Sequence, residues 1–183
     1  NWNVSQIGTV TTVDNSIADG TQTANFTVRI NDPLSDDCYV NPNPLPTYAI
    51  QIVDDEVAGF LLSTVSGTLT ENNPQTASVS VVLTAEPLTD VIIDIKSLDL
   101  TEVTVGTTSL TFTPLNWNIA QTIVLNSVDE LTVDGTQTAS ISASINSASD
   151  SAFTSLASQT ATVNNADNDS AGISINKFIA KIA

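Results

Sequence analysis

The sequence predicts an all-β chain built from antiparallel β-sandwich modules in tandem. Three observations carry that prediction. Short apolar stretches alternate with polar residues at the two-residue period of a half-buried strand. The composition is strand-like and turn-like, rich in Val, Ile and Thr with abundant Ser and Asn, and no stretch sustains a helical period. Finally, the chain repeats itself. Asn1-Trp2-Asn3 returns as Asn116-Trp117-Asn118, and Asp19-Gly20-Thr21-Gln22-Thr23-Ala24 returns as Asp134-Gly135-Thr136-Gln137-Thr138-Ala139, both 115 residues on. Ser35-Asp36 with Tyr39 matches Ser149-Asp150 with Phe153, 114 residues on. Asp54-Asp55-Glu56-Val57-Ala58-Gly59 matches Asp167-Asn168-Asp169-Ser170-Ala171-Gly172, 113 residues on. One module is used more than once.

A complete module is expected over residues 58–170. Phe60-Leu61-Leu62 opens it, and Glu71 falls in the turn that follows. Ala77–Leu83 alternates and stops before Glu86-Pro87. Val91–Ile95, Glu102–Val105, Ser109–Thr113, Gln121–Val128, Ala139–Ile145 and Ala157–Val163 complete about eight short strands at sandwich spacing. Residues 1–57 match only the later part of this module and are expected to supply its last three strands or so. They lack a facing sheet, so they are expected to need a partner. Residues 171–183 read as the start of the next repeat or a terminal strand. The chain as a whole reads as an excerpt from a longer array.

Charge narrows the function. Four Lys and Arg face 20 Asp and Glu, a net of −16, and residues 1–176 hold only Arg29 and Lys96 as bases. Such a surface repels nucleic acid and anionic membranes. No 18-residue apolar span is present, so direct membrane insertion is not expected. The chain has no histidine, which removes the commonest general base and transition-metal ligand. Cys38, the one cysteine, has no intrachain disulfide partner and no histidine to activate it, and it reads as a structural thiol. No Gly-rich phosphate loop occurs, and with 5% aromatics a sugar-hydrolysing carboxylate pair is disfavoured. Trp2, Trp117, Phe112, Phe153 and Tyr39 read as core. Asn3-Val4-Ser5, Asn25-Phe26-Thr27 and Asn168-Asp169-Ser170 fit an N-glycosylation pattern that matters only in a glycosylating host.

The acids fall at strand ends: Glu71, Asp99, Asp129, Glu130 and Asp134, then Asp167, Asn168 and Asp169. Alternate loops of a sandwich emerge at one end, so these groups can converge. Converged carboxylates repel, and Ca2+ relieves the repulsion by taking six to eight oxygen ligands at flexible geometry. The alternative is that they are ordinary turn residues, since Asp and Asn favour turns. Asp14, Asp19, Asp54, Asp55 and Glu56 repeat the pattern in residues 1–57, with Asn15 where an acid stands later.

The Asp54–Gly59 and Asp167–Gly172 segments resemble the acidic-Ala-Gly ending of Calx-beta domains. Leu69-Thr70-Glu71-Asn72 is similar to that family's early glutamate segment, and Val128-Asp129-Glu130 with Asp134 to its acidic hairpin loop. Phe112–Asn118 is similar to Calx-beta-related repeats of large bacterial surface proteins. The resemblance implies tandem Calx-beta/immunoglobulin-like sandwiches that bind Ca2+ at the loop end beside the following domain. It implies Glu71, Asp129, Glu130, Asp134, Asp167 and Asp169 as ligands, with Asp99 a weaker match and Asn168 a neutral replacement for an acid. The function expected is a non-enzymatic, secreted or cell-surface module, a Ca2+-stiffened spacer or adhesin stalk. Its partners would be neighbouring repeats, other copies of the chain, or surface glycans and proteins. The alternatives are a filament-forming or directly adhesive module working by strand exchange, and an accessory domain of a secreted enzyme.

Overall fold

The structure, a computed structural model, describes residues 4–31, 38, 41, 44–72 and 77–173. Trp2, Ser35, Asp36, Tyr39 and residues 174–183 lie outside the described residues. Eleven strands are formed, and no helix is found among the described residues. The chain is all-β. Among the described residues every strand pair but one is antiparallel.

Residues 60–166 fold into two facing sheets. The first runs β3(Phe60–Leu62), β5(Ala77–Leu83), β9(Gln121–Ser127), β7(Val103–Val105). The second runs β4(Leu69–Thr70), β11(Gln159–Ala166), β10(Gln137–Ile145), β6(Val91–Ser97), β8(Ser109–Phe112). Alternation decides which side chains face the core. On β5, Ala77, Val79, Val81 and Leu83 are buried while Ser78, Ser80 and Val82 are less so. On β6, Val91, Ile93, Ile95 and Ser97 point in. Ile123, Leu125, Ile141, Phe112 and Phe153 are fully buried between the sheets, and Trp117 packs against that core. Each fully buried large apolar side chain contributes about 1.5–3 kcal/mol.

Two departures from the sequence reading matter. Leu69–Thr70 forms a short strand, β4, that lies parallel beside β11 and pairs Leu69 with Asn165 and Thr70 with Ala166. It carries Glu71 to the end of β11. In residues 1–57, the described part forms two strands rather than three: β1(Gln22–Thr27) and β2(Thr47–Ile52). The missing strand is the counterpart of β9. In the complete module β9 is hydrogen-bonded to β5 and β7, and the described residues of the first repeat contain no counterpart of either. Without partners, an alternating sequence has no ladder to join.

The β1–β2 ribbon shows the same deficit on its face. Val10, Ala24, Phe26, Ile50 and Ile52 line one apolar groove, and the Phe26 and Tyr48 rings stack with centroids 5.4 Å apart. The matching positions of the complete module, Leu125, Ala139, Ile141, Val163 and Asn165, are all buried between its two sheets. The ribbon is tied to the complete module through residues 16–18. Ile17 bridges Glu86 in parallel, the Glu86 N–H donates to the Ser16 carbonyl at 2.8 Å, and the Ala18 N–H donates to the Glu86 carbonyl at 3.3 Å.

Candidate metal centre

Three chain segments meet at one end of the complete module. The Glu71 N–H donates to the Ala166 carbonyl at 3.0 Å, which extends the β4–β11 pairing by one residue and sets Glu71 beside Asp167. Asn72 then turns the chain away in the left-handed region, at φ 50°, a conformation Asn tolerates better than most residues. The loop after β9 is fastened from the other side. Asp167 Oδ2 accepts from the Asp134 N–H at 3.1 Å and the Gly135 N–H at 2.8 Å, and Asp167 Oδ1 accepts from the Asp169 N–H at 2.6 Å. Asn168 Nδ2 donates to the Glu71 carbonyl at 2.6 Å.

This brings five carboxylates together. One oxygen each from Glu71, Asp167 and Asp169 lie within 4.8 Å of one another, and so do one each from Glu71, Glu130 and Asp134. Asp129 is close enough to push the Asp169 carboxyl up. No Lys or Arg occurs in the contributing segments 69–72, 128–137 or 165–170.

Of the five, Glu71 is buried, Asp167, Asp169 and Glu130 are half-buried and Asp134 is exposed. Glu71 is 1% exposed. Among the described residues, the buried side-chain polar atoms without a hydrogen-bond partner are Glu71 Oε2, Glu130 Oε1, Asn165 Oδ1 and Asp169 Oδ2. All four are oxygens from this one place. Buried polar groups are normally paired, and these four oxygens have no donor from the protein. Asp150 provides the contrast. It is also buried, but its Oδ2 accepts from the Thr89 N–H at 2.8 Å and its Oδ1 from the Ala152 N–H at 2.9 Å. Burial pushes its carboxyl up, the backbone N–H groups of Ala152, Thr89 and Leu88 outweigh that, and it stays below the usual range.

The carboxyls of the cluster divide in the same way. Burial, then the charges of Asp167 and Glu130, push Glu71 up. Burial, then Asp167, Asp129 and Glu130, push Asp169 up. The N–H groups of Asp169 and Gly135 hold Asp167 down. Asp167 is thus the anionic fastener of the loop, while at Glu71 and Asp169 burial and neighbouring charge outweigh the donors.

Two residues of the site lay outside the sequence reading. Asn165, fully buried, is the last inward residue of β11. Its Nδ2 lies 3.1 Å from Glu102 Oε2, 3.2 Å from the Glu102 carbonyl, 3.4 Å from the Val128 carbonyl and 3.5 Å from Glu71 Oε1. Two amide protons are shared among four acceptors. Glu102, also buried, stands just ahead of β7. The signal for Asn165 was a polar residue in the inward phase of a strand, in register with Ala161 and Val163.

Four acidic candidates, Asp19, Asp54, Asp129 and Asp99, stay outside the groups that can share an ion, and the plainest case is Asp99. Its Oδ1 accepts from the Thr101 N–H at 3.1 Å and the Thr101 hydroxyl at 2.6 Å, so it serves its own turn. In the first repeat Asp14, Asp55 and Glu56 offer oxygens within 4.8 Å of one another. Asp54 does the fastening there: its Oδ2 accepts from the Gly20 N–H at 2.6 Å, its Oδ1 from the Glu56 N–H at 3.0 Å. The Gly20 N–H holds the Asp54 carboxyl down, while the bond to Asp54, then burial and the charges of Asp55 and Asp14, push Glu56 up. The Asp19 carbonyl accepts from Gln22 Nε2 at 2.9 Å, and the Asp19 carboxylate joins no such group. The first repeat has Ile52 where the second has Asn165, and nothing among residues 4–57 stands for Glu71 or Glu102. This group is more open than its counterpart.

A cluster of carboxylate and amide oxygens without a basic residue is the donor set that a hard cation takes. No protein-family model matches the chain, and no curated protein matches it. Among solved structures, the chain is similar to SSP-19, an MSP-domain-like protein of Caenorhabditis elegans, at TM-score 0.36 and 13% identity over 57% of this chain and 98% of that one. It is also similar to domains 1–6 of the surface layer protein SbsC, at TM-score 0.33 and 13% identity over 69% of this chain. The chain spans 15% of the length of that surface layer structure, and at these scores neither likeness carries an argument about what the chain does.

Proposed function

We propose that the chain is a non-enzymatic, Calx-beta-like repeat segment of a secreted or cell-surface protein, in which Ca2+ closes the end of each module against the next. The carrying observation is the set of four orphaned, buried oxygens on Glu71, Glu130, Asn165 and Asp169. Ca2+ would draw on Glu71, Glu130, Asp134, Asp167 and Asp169, with the ion between strand end β4, the β9–β10 loop and the segment that leads out of the module. A cation held by all three ties both sheets and the outgoing linker into one body. That suits a spacer or stalk whose partners are its own neighbouring repeats. The acidic surface, net −16, repels nucleic acid and fits an extracellular setting where Ca2+ is plentiful.

The test is thermal unfolding in Ca2+, in Mg2+ and in chelator. A ligand that binds only the folded state stabilises by about 2.7 kcal/mol at a hundredfold excess over its Kd, which for a module of this size is a rise in Tm of about 10 °C. Mg2+, which demands tighter octahedral geometry, gives a smaller rise. Glu71→Gln removes most of the Ca2+ gain. Equal Tm values in Ca2+ and chelator end the proposal.

A second reading is favoured by the uncovered β1–β2 face: assembly with other chains by strand exchange. Sedimentation of the native chain decides it, because a monomer at all concentrations is incompatible with exchange.

A further inference from the structure

Two loops of the chain share one set of backbone contacts, and only one of them is docked. Residues 14–20 and 129–135 are counterparts 115 positions apart. The Ile17 N–H donates to Asn15 Oδ1 at 2.7 Å, and the Thr132 N–H donates to Glu130 Oε2 at 2.9 Å. Gly20 and Gly135 take φ values of 72° and 76°. The Gly20 N–H donates to Asp54 at 2.6 Å and the Gly135 N–H to Asp167 at 2.8 Å. Gln22 reaches the Asp19 carbonyl at 2.9 Å, and Gln137 reaches the Asp134 carbonyl at 3.1 Å.

The outer edge of the first loop is used. Its Ser16 carbonyl and Ala18 N–H bond to Glu86, in the β5–β6 connection of the following module. Thr84, two residues earlier, holds the linker: its N–H donates to the Gly59 carbonyl at 2.9 Å and its hydroxyl to the Val57 carbonyl at 3.0 Å. The second loop presents Leu131 and Val133 where the first has Ser16 and Ala18. Among the described residues, neither makes a backbone hydrogen bond to another segment, and they are 90% and 53% exposed. Two exposed apolar side chains thus stand in a loop otherwise made of Asp, Glu, Thr and Gly.

We propose that the edge formed by Leu131, Thr132 and Val133 is a docking strand for the β5–β6 connection of a following module of the same kind. The bridge uses the Leu131 carbonyl and the Val133 N–H. The occupant is a later module of the same polypeptide and not a second copy of this chain, because the Glu86 of such a copy is already engaged by its own Ser16 and Ala18. Linker spacing agrees, since Asp167–Gly172 reproduces Asp54–Gly59. This deepens the repeat-array reading above and rests on it, but the backbone bridge itself needs no cation.

The experiment inserts a second copy of residues 58–170 after Ser170 of the full chain. Amide hydrogen exchange is then followed by NMR in Ca2+ and in chelator, with a second thermal transition as the check that the inserted module is folded. The Val133 amide is expected to exchange about tenfold more slowly than in the original chain, approaching the Ala18 amide. Protection in chelator as well as in Ca2+ supports docking without the ion, and protection in Ca2+ alone supports docking coupled to it. A Val133 amide equally fast in both chains overturns the proposal, even where Ca2+ raises the Tm and the cation reading survives. A Val133→Pro variant of the lengthened chain gives the reciprocal readout: the inserted module's counterpart of the Glu86 amide loses its protection.

Discussion

Asn165 joins the two sheets at the acidic end, so replacing it tests whether that junction holds the module together. Asn165→Leu keeps the side-chain volume and removes the donor. The Glu102 carbonyl retains the Val128 N–H at 2.8 Å, but Glu102 Oε2 at 3.1 Å and the Val128 carbonyl at 3.4 Å lose the amide. A buried acceptor left unpaired costs about 1–3 kcal/mol, and the added apolar burial of Leu returns part of that. The balance is a loss of about 2 kcal/mol, or roughly 8 °C in Tm for a module of this length. Differential scanning calorimetry in excess chelator is the assay, so that no cation contributes. Asn164→Ala is the control. Asn164 is exposed, its Oδ1 accepts from the Thr138 hydroxyl at 2.9 Å, and its loss costs no more than about 0.5 kcal/mol. If Asn165→Leu unfolds within a degree of the parent, the amide is not what ties the sheets.

Two further outcomes are expected. In chelator, Glu71, Asp169 and Glu56 have raised values, so their contribution to stability is present at acid pH and is lost as pH rises through those folded values. Asp167, Asp54 and Asp150 have lowered values, so theirs is present above the ordinary carboxylate range and is lost as pH falls through the folded values. Stability without Ca2+ therefore peaks at mildly acid pH, and Ca2+ moves the peak toward neutral; urea midpoints in chelator that climb steadily to pH 8 would contradict this. At the joint, a Cβ on Gly59 meets Thr84 Oγ1 at 2.7 Å and displaces the hydroxyl from the Val57 carbonyl. Gly59→Ala is expected to cost about 1 kcal/mol in urea unfolding and little in a Thr84→Ala background. Gly172→Ala, with nothing within 4 Å, is expected to be neutral, and equal costs at both glycines would remove the joint from the explanation.

The strands that the sequence made legible are those with a partner strand in place. Ala77–Leu83 alternates without interruption and forms β5 over those same residues. Leu69–Thr70 is too short to alternate, and only its place beside β11 makes it a strand. Residues 6–12 carry the pattern of β9 but form no strand, because pairing and not pattern completes a ladder. At the site, strand-end acids pointed to Glu71, Glu130, Asp134, Asp167 and Asp169, which the fold does gather. Spacing could not separate Asp99, whose carboxylate is spent on Thr101, from acids with oxygens to spare. Nor could it find Asn165 and Glu102, whose importance comes from facing inward beside one another.

The parallel pairing of β4 with β11 also sets how the module meets mechanical load. These strands lie near its entrance and its exit, and they run side by side in the same direction through Leu69–Asn165, Thr70–Ala166 and the Glu71 N–H to Ala166 carbonyl bond. Tension applied to the two ends of the module pulls the two strands in opposite directions along their own axes. The bonds between them are then strained together in shear and not opened one after another like a zip. Glu71 and Asp167 stand at the end of this patch, so an ion between them would brace the same clamp and raise the force at which the sandwich gives way.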